Sequence, residues 1–442
     1  MKMTKVMLAA LMLTVGTAAS AADTLKVDLN KALEIALSDN PTIKIADKEI
    51  ERVDYSQQGA WYGLIPTLSA TAQYTRNALR SEVNMGGLAI KMSQDNQASL
   101  GLSLSLPLIV PGLWYSIQMT DLDMKLALEN ARSSKITLRN DVKKAFYGIM
   151  LAQDSYEALK EGYDLAKQNF EDAKHRFEVG LAAEYDMVSA EVQMRNIVPT
   201  LLQAENGVRQ SKLMLKVLIG VGAEVEMKID GKLVDFEAEL QTLADTTIPS
   251  LENNSNLIQL GIQKRQIEKS LQMQRTQYMP TLVGFGSFSY TGSGNDKEEA
   301  GFTGQPTPAG MNWYNPGVAL GVQLSWPIFN GLTVINKTKQ IKIQGMELEM
   351  QREYLANNLG VQAIAAIDNM NKAVEQVESN KENVRLAQKG YDISQKRYET
   401  GSGTMLELRN AALALTQSRL SYDQSISDYL SAKSEYEKVV GL

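Results

Sequence analysis

Cysteine is absent from this 442-residue chain, and His175 is its only histidine. Those two absences exclude disulfides, thiolate zinc sites, multi-histidine metal centres and histidine-dependent nucleophilic triads. An excess of positive charge is also missing. The 45 basic and 51 acidic side chains leave a net charge of −6, which gives no electrostatic footprint for nucleic acid. Beyond the N-terminus there is no uninterrupted apolar run of the roughly 20 residues that a membrane-spanning helix needs. What is present is a foldable composition, 44% hydrophobic and 22% charged. The inventory points away from enzyme chemistry and calls for no cofactor and no metal.

The start of the chain reads as an export address. Lys2 and Lys5 precede an apolar stretch from Val6 to Val15, and small residues follow through Ala19-Ser20-Ala21. This is the layout of a secretory signal peptide covering residues 1–21. The stretch is too short for a transmembrane anchor, and no cysteine follows it to carry a lipid. An exported chain of this kind is periplasmic, secreted or an outer-membrane β-protein.

The remainder is written twice. Leu37-Ser38-Asp39-Asn40-Pro41 faces Leu251-Glu252-Asn253-Asn254-Ser255, and Ile65-Pro66-Thr67-Leu68 faces Met279-Pro280-Thr281-Leu282, both at an offset of 214. Later, Leu104 to Leu108 faces Leu324 to Ile328 at 220, and Arg176-Phe177-Glu178-Val179-Gly180 faces Arg397-Tyr398-Glu399-Thr400-Gly401 at 221. A period this long indicates a duplicated domain rather than a solenoid. The first repeat spans 22–219, a joining segment 220–250 and the second repeat 251–442.

Each repeat carries the same signals in the same order. Asn30 reads as the N-cap of an opening helix, and a second helix reaches Tyr62 before Pro66. Leu100, Leu102, Leu104 and Leu106 then alternate with small or polar residues, as do Val318, Leu320, Val322, Leu324 and Trp326. With less regular partners, this predicts two strands per repeat, at 68–78, 98–107, 282–290 and 317–327. Loops at 79–97 and 291–316 join them. From Leu138 to Phe177, and again from Leu359 to Tyr398, apolar residues recur at steps of four and three, the pattern of a coiled-coil seam. Helical hairpins are expected over 113–219 and 332–440, with Gly180 and Gly401 at their tips and a first arm about 100 Å long.

Four strands cannot close a barrel, and a lone sheet with an oily face would expose its edges. Closure therefore calls for oligomerisation, and three copies would supply twelve strands against the outer-membrane minimum of about eight. Trp61, Trp114 and Trp326 stand where strands meet helices, the place for aromatics at a lipid bilayer interface. A trimeric adhesin is the alternative from another class, although its strands should be contiguous and terminal.

The opening Leu29 to Leu37 with Asn40-Pro41, the Leu-Ser-x-Pro strand ends at 104–107 and 324–327, the helix restarts after Gly112 and Gly331, and the paired Arg-aromatic-Glu-x-Gly tips together resemble the TolC family of outer-membrane efflux proteins. The resemblance covers essentially the whole chain after the signal peptide. It implies an α+β membrane protein, a homotrimer with a twelve-stranded outer-membrane β-barrel continuous with a long α-helical coiled-coil barrel. It further implies an exit duct in the outer membrane of a Gram-negative bacterium, joined through a periplasmic membrane-fusion adaptor to an inner-membrane efflux pump or ABC exporter. In such a duct the hairpin tips form the gate. Asp186 and Tyr398 match a gate pair joined by a phenol-to-carboxylate hydrogen bond. Gly403 stands where the family has a second gating arginine. Glu407 matches one position of a carboxylate ring, and Asn410 replaces the other.

Overall fold

The computed structural model describes residues 25–80, 82–85, 88–91, 93–241, 249–300, 306–307 and 309–442. The signal-peptide segment 1–21 lies outside the described residues. In chain order the elements are β1 (Leu25–Val27), α1 (Leu29–Asp39), α2 (Pro41–Tyr62), β2 (Thr67–Arg76), β3 (Glu82–Met85), β4 (Leu88–Lys91), β5 (Asn96–Ile109), α3 (Pro111–Glu178) and α4 (Glu184–Ile219). There follow β6 (Met227–Ile229), a 3-10 turn (Leu233–Glu239), α5 (Ser255–Arg275), a short 3-10 turn (Thr276–Tyr278), β7 (Thr281–Asn295), β8 (Glu299–Ala300), β9 (Pro306–Thr307), β10 (Gly310–Ser325), α6 (Thr333–Glu399) and α7 (Met405–Val440).

The chain forms two compact units that do not follow the repeat boundary. One comprises the chain up to Ile43 with Lys135–Ile248 and Gln362–Lys438, and the other comprises Lys44–Ser134, Pro249–Val361 and Val439–Leu442. Each unit thus draws on both repeats, because the long helices α3 and α6 run out of one unit into the other.

In the second unit, β2, β5, β7 and β10 make one antiparallel sheet in the order β10-β7-β5-β2. The repeats meet at its centre, where Leu100 pairs with Tyr290, Leu102 with Phe288 and Leu104 with Gly286. Among the described residues β2 and β10 are the unpaired edges of this sheet. Where loops are expected at 79–97 and 291–316, the structure extends β5, β7 and β10 and adds the β3–β4 hairpin. Among the described residues no helix is long and apolar enough to cross a membrane.

The first unit is helical. Leu138, Val142, Phe146, Ile149 and Met150 of α3 are buried with Leu215 and Ile219 of α4, Met370, Ala373 and Val377 of α6, and Ile426, Tyr429 and Leu430 of α7. These residues include the heptad seam, so the four-three spacing of α3 and α6 becomes the core. The one polar seam position of the second repeat in this region, Asn380, donates to the Ser421 carbonyl at 3.1 Å. A parallel pair, β1 with β6, closes one side of the unit.

The segment joining the repeats is anchored to the helices at several points. Asp154 accepts from the Leu233 amide at 2.9 Å, Lys232 pairs with Glu157 at 2.7 Å, and Glu237 pairs with Lys381 at 2.6 Å and accepts from the Tyr422 hydroxyl at 3.0 Å. Phe236 meets the Tyr147 ring edge-on at 5.5 Å. Burial raises the Asp154 pKa, opposed by the Leu233 bond, and raises Asp423 to about 6, with Asp154 adding to the rise and Lys232 and Arg419 opposing it.

The opening helix is capped by Asp28, whose carboxylate accepts from the Lys31 amide at 2.7 Å. This corrects the assignment to Asn30, which already lies inside α1. The duplicated asparagines Asn40 and Asn254 do more than cap. Asn40 accepts from the Thr42 amide at 2.7 Å and donates to the Leu218 carbonyl at the end of α4, also at 2.7 Å. Asn254 accepts from the Asn256 amide at 3.0 Å and donates to the Val439 carbonyl of α7 at 2.8 Å. Each repeat therefore ties the start of one helix to the orphan carbonyls at the end of another.

Candidate functional site

Two regions carry the features that a duct requires, an apolar band on the sheet and the hairpin tips. On the sheet, Leu100, Leu102 and Leu104 of β5 lie on the same face as Val318, Leu320, Val322 and Leu324 of β10, and all are exposed, Leu320 by 81%. The opposite face is polar, with Ser69 and Ser103 bonded hydroxyl to hydroxyl at 2.6 Å. At the end of the sheet where the chain passes between strands and helices stand the three sequence-predicted tryptophans, all exposed. Trp61 and Trp114 meet edge to face at 6.3 Å, and the Trp326 indole donates to the Tyr278 carbonyl at 3.2 Å.

The other end carries aromatics, of which Trp313 is the one that the sequence reading placed in a loop. Trp313 of β10 stacks on Tyr290 of β7 at 5.1 Å and lies over Gly292, where a Cβ would stand 2.8 Å from the indole. Through the ladder, Trp313, Gly292, Ala98 and Tyr74 form one row across the four strands. The row exists because β10 bulges between Tyr314 and Gly317. Pro316 has no amide to give the ladder, and the single extra residue reverses the in-out alternation, which puts Trp313 on the oily face. Its neighbour Tyr314 falls on the other face and bonds Ser293 at 2.6 Å. The Trp-Tyr pair was a visible signal, but Pro316 and Gly317 beside it look like a turn.

The hairpin tips belong to the helical unit. At both, the helix ends in a left-handed glycine, Gly180 with φ 75° and Gly401 with φ 73°. The next amide reaches back five residues, Leu181 to the Arg176 carbonyl at 2.7 Å and Ser402 to the Arg397 carbonyl at 2.8 Å. This is the Schellman ending, which needs a residue without a Cβ penalty at positive φ. A new helix then starts within a few residues. Thr404 caps α7 and Glu407 lies in its first turn, the Glu407 carboxylate accepting from the Thr404 amide at 3.3 Å while the Glu407 amide donates to the Thr404 hydroxyl at 3.2 Å, a reciprocal capping box. Its carboxylate is also 3.4 Å from Arg397. Asn410 is exposed on α7, and Asp186 is half-buried in the first turn of α4, where the helix dipole favours its charge.

Tyr398 is 8% exposed and packs in a cluster with Ala173, Ala190, Met405 and Leu408. Its Oη has no hydrogen-bond partner among the described residues. The phenol-to-carboxylate bond implied by the resemblance is therefore not formed within the chain, because the hydroxyl is enclosed in the apolar cluster. Asp186 is still felt there. Burial pushes the phenol pKa up, Arg176 pulls it down and Asp186 pushes it up again. Arg176, quoted in the tip motif but given no role from sequence, lies over the Tyr398 ring with its guanidinium carbon 5.0 Å from the centroid.

Comparison with known proteins follows the same layout. The chain is 21% identical over 373 residues to the outer membrane protein TolC of Vibrio cholerae, covering 83% of each. It is 23% identical over 398 residues to the toluene efflux pump outer membrane protein TtgC of Pseudomonas putida, covering 87% of this chain and 76% of that one. Among solved structures, the CmeC outer membrane channel of Campylobacter jejuni superposes with a TM-score of 0.75 at 16% identity, over 93% of this chain and 85% of that one. The outer membrane protein VceC of Vibrio cholerae gives 0.72 at 14% identity, over 93% and 96%. The family model described as outer membrane efflux protein matches residues 32–221 and 249–441, nearly the whole of both repeats, and the chain belongs to that family.

Proposed function

We propose that three copies of this chain close a twelve-stranded barrel in the outer membrane and serve as the exit duct of an efflux or type I secretion assembly. In that assembly a periplasmic adaptor links the duct to an inner-membrane pump or exporter. The observation that carries the reading is the sheet, which has two free edges, one exposed apolar face and an aromatic row at each end. Trp313 and Trp326 are thirteen residues apart. At about 3.3 Å per residue that is about 43 Å along the strand, or about 30 Å across a bilayer at the usual tilt of about 45°. Barrels in outer membranes need about eight strands or more, so four from one chain require partners. The division of the strands into two pairs, β2 and β5 from one repeat and β7 and β10 from the other, with the helices α3, α4 and α5 between them in the chain, speaks against the adhesin alternative, in which the strands are contiguous.

The hairpin tips serve as the gate in this reading. Gly180, Gly401 and Gly403 shape the turns, and Asp186, Tyr398, Glu407 and Asn410 stand around them. Threefold symmetry turns each Glu407 into a ring that favours cations. Its capping box and its pairing with Arg397 moderate that field, as does the neutral Asn410. Purified protein in planar bilayers, with its mass in detergent measured in parallel, tests the proposal. A trimer with small, cation-selective conductance is expected. A monomer, or a trimer that stays silent with every tip variant, overturns it.

A further inference from the structure

The duplicated arginines of the tips have diverged in use. Arg397 turns back on its own hairpin, with Nη2 donating to the Ser402 carbonyl at 3.1 Å and Nη1 3.4 Å from Glu407. Gly403 lets the turn pass close to the end of α6, since a Cβ there would stand 2.9 Å from the Cβ of Arg397 and 3.2 Å from its carbonyl carbon. Arg176 leaves its hairpin. Its Nη2 donates to the Glu399 carbonyl of α6 at 2.9 Å, and its guanidinium covers the face of Tyr398. Both contacts suit a guanidinium. The Glu399 carbonyl belongs to the last turn of α6, where the helix dipole is negative and carbonyls lack intrahelical donors. The ring offers a π-face, and the planar fork can stack on it while donating sideways, which a lysine ammonium cannot do. Tyr398 meanwhile uses its ring and leaves its hydroxyl unpartnered among the described residues.

We propose that Arg176 is the clasp that holds the first hairpin tip to the second, seated on the Tyr398 ring and anchored to the Glu399 carbonyl, and that its release opens the tip. The proposal rests on the reading of the tips as a gate. It reassigns the work of Tyr398 from hydroxyl to ring, and it gives this chain an inter-hairpin contact in place of the arginine that Gly403 replaces.

Three full-length variants test it: Arg176→Ala, Tyr398→Leu and Tyr398→Phe. Each is read by single-channel recording in planar bilayers and by hydrogen exchange of the peptides containing the two tip glycines. Arg176→Ala and Tyr398→Leu are expected to raise the open-to-closed ratio by about fivefold, the worth of one cation–π contact, and to speed exchange at both tips. Tyr398→Phe keeps the ring and is expected to match the wild type in both readouts. If Tyr398→Phe opens the channel as far as Tyr398→Leu, the hydroxyl carries the latch and the clasp is refuted. Arg176→Ala indistinguishable from wild type in both readouts refutes it as well, and this surface variant removes no buried side chain. Exchange needs no conduction, so a trimer that stays silent as wild type and with every tip variant overturns the duct reading while the exchange comparison still judges the clasp.

Discussion

At the residue scale, the duplicated asparagines show how one side chain can do two jobs. Asn254 is 4% exposed and satisfies helix-start amides with its oxygen and a helix-end carbonyl with its nitrogen. Asn254→Ala is therefore expected to cost about 2–3 kcal/mol, the loss of a cap plus a buried carbonyl left unpaired, measured by denaturation in detergent. The Leu-x-x-Asn spacing exposed the pair as a repeat signal. Its second bond could not be read from sequence, because the carbonyl it reaches is 178 residues away for Asn40. Asp423 makes a second case. Its pKa of about 6 in the folded chain exceeds the ordinary 3.8, raised first by burial and then by Asp154. The folded state holds that proton more tightly than the unfolded one. Its contribution is fully favourable below pH 4 and is lost as pH rises through 6, leaving a half-buried charge at neutrality. Asp423→Asn should raise stability at pH 7 by about 1–2 kcal/mol after allowance for solvent screening, and by nothing at pH 4. Thermal melts of both proteins across that range check the sign, and an equal shift at both pH values would contradict it.

At the element scale, the strands were legible wherever alternation was clean. Val318 to Trp326 alternates without interruption, and the ladder places Val318, Leu320, Val322 and Leu324 on one face. The outer half of β10 was not legible, because a proline-containing bulge looks like a turn until a partner strand shows that pairing resumes beyond it. The face assignment predicts opposite results for neighbouring charges. Leu320→Arg on the oily face should destabilise the membrane-inserted protein by about 2–4 kcal/mol, whereas Gln323→Arg on the polar face should cost little. Folding into lipid vesicles at increasing urea separates the two, and equal sensitivity would mean that the faces are misassigned. The helices were legible for a different reason. A heptad sustained along α3 and α6 needs no knowledge of the partner to announce a seam, and small seam residues such as Ala166, Ala173, Ala363 and Ala373 are buried.

At the scale of the whole molecule, the free edges of β2 and β10 set the requirement for assembly. An unpaired edge of an exposed sheet is a template for another chain, and a barrel removes it. The absence of cysteine makes a direct test available. Among pairs of cysteines placed one on β2 and one on β10, a single stagger should yield covalent trimers on oxidation. Monomeric product at every stagger would refute edge-to-edge closure. The compact units add a constraint of their own. Because each takes segments from both repeats, either repeat expressed alone lacks part of every core it belongs to.

The sequence by itself determined the duplication, the alternating strands, the heptad seams and the glycine-ended tips. All of these are local or periodic, and periodicity survives without knowledge of distant partners. Only the tertiary structure decided what depends on meetings between remote residues. It set the row of Tyr74 and Trp313 across four strands, the tie from Asn40 to the end of α4, and the divergence of two repeat-related arginines. Arg176 and Arg397 sit in the same five-residue motif, and no local rule distinguishes them. Arg176 finds an aromatic face and a helix-end carbonyl on another hairpin, and Arg397 finds the Ser402 carbonyl and Glu407 on its own, so the surroundings assign each its role.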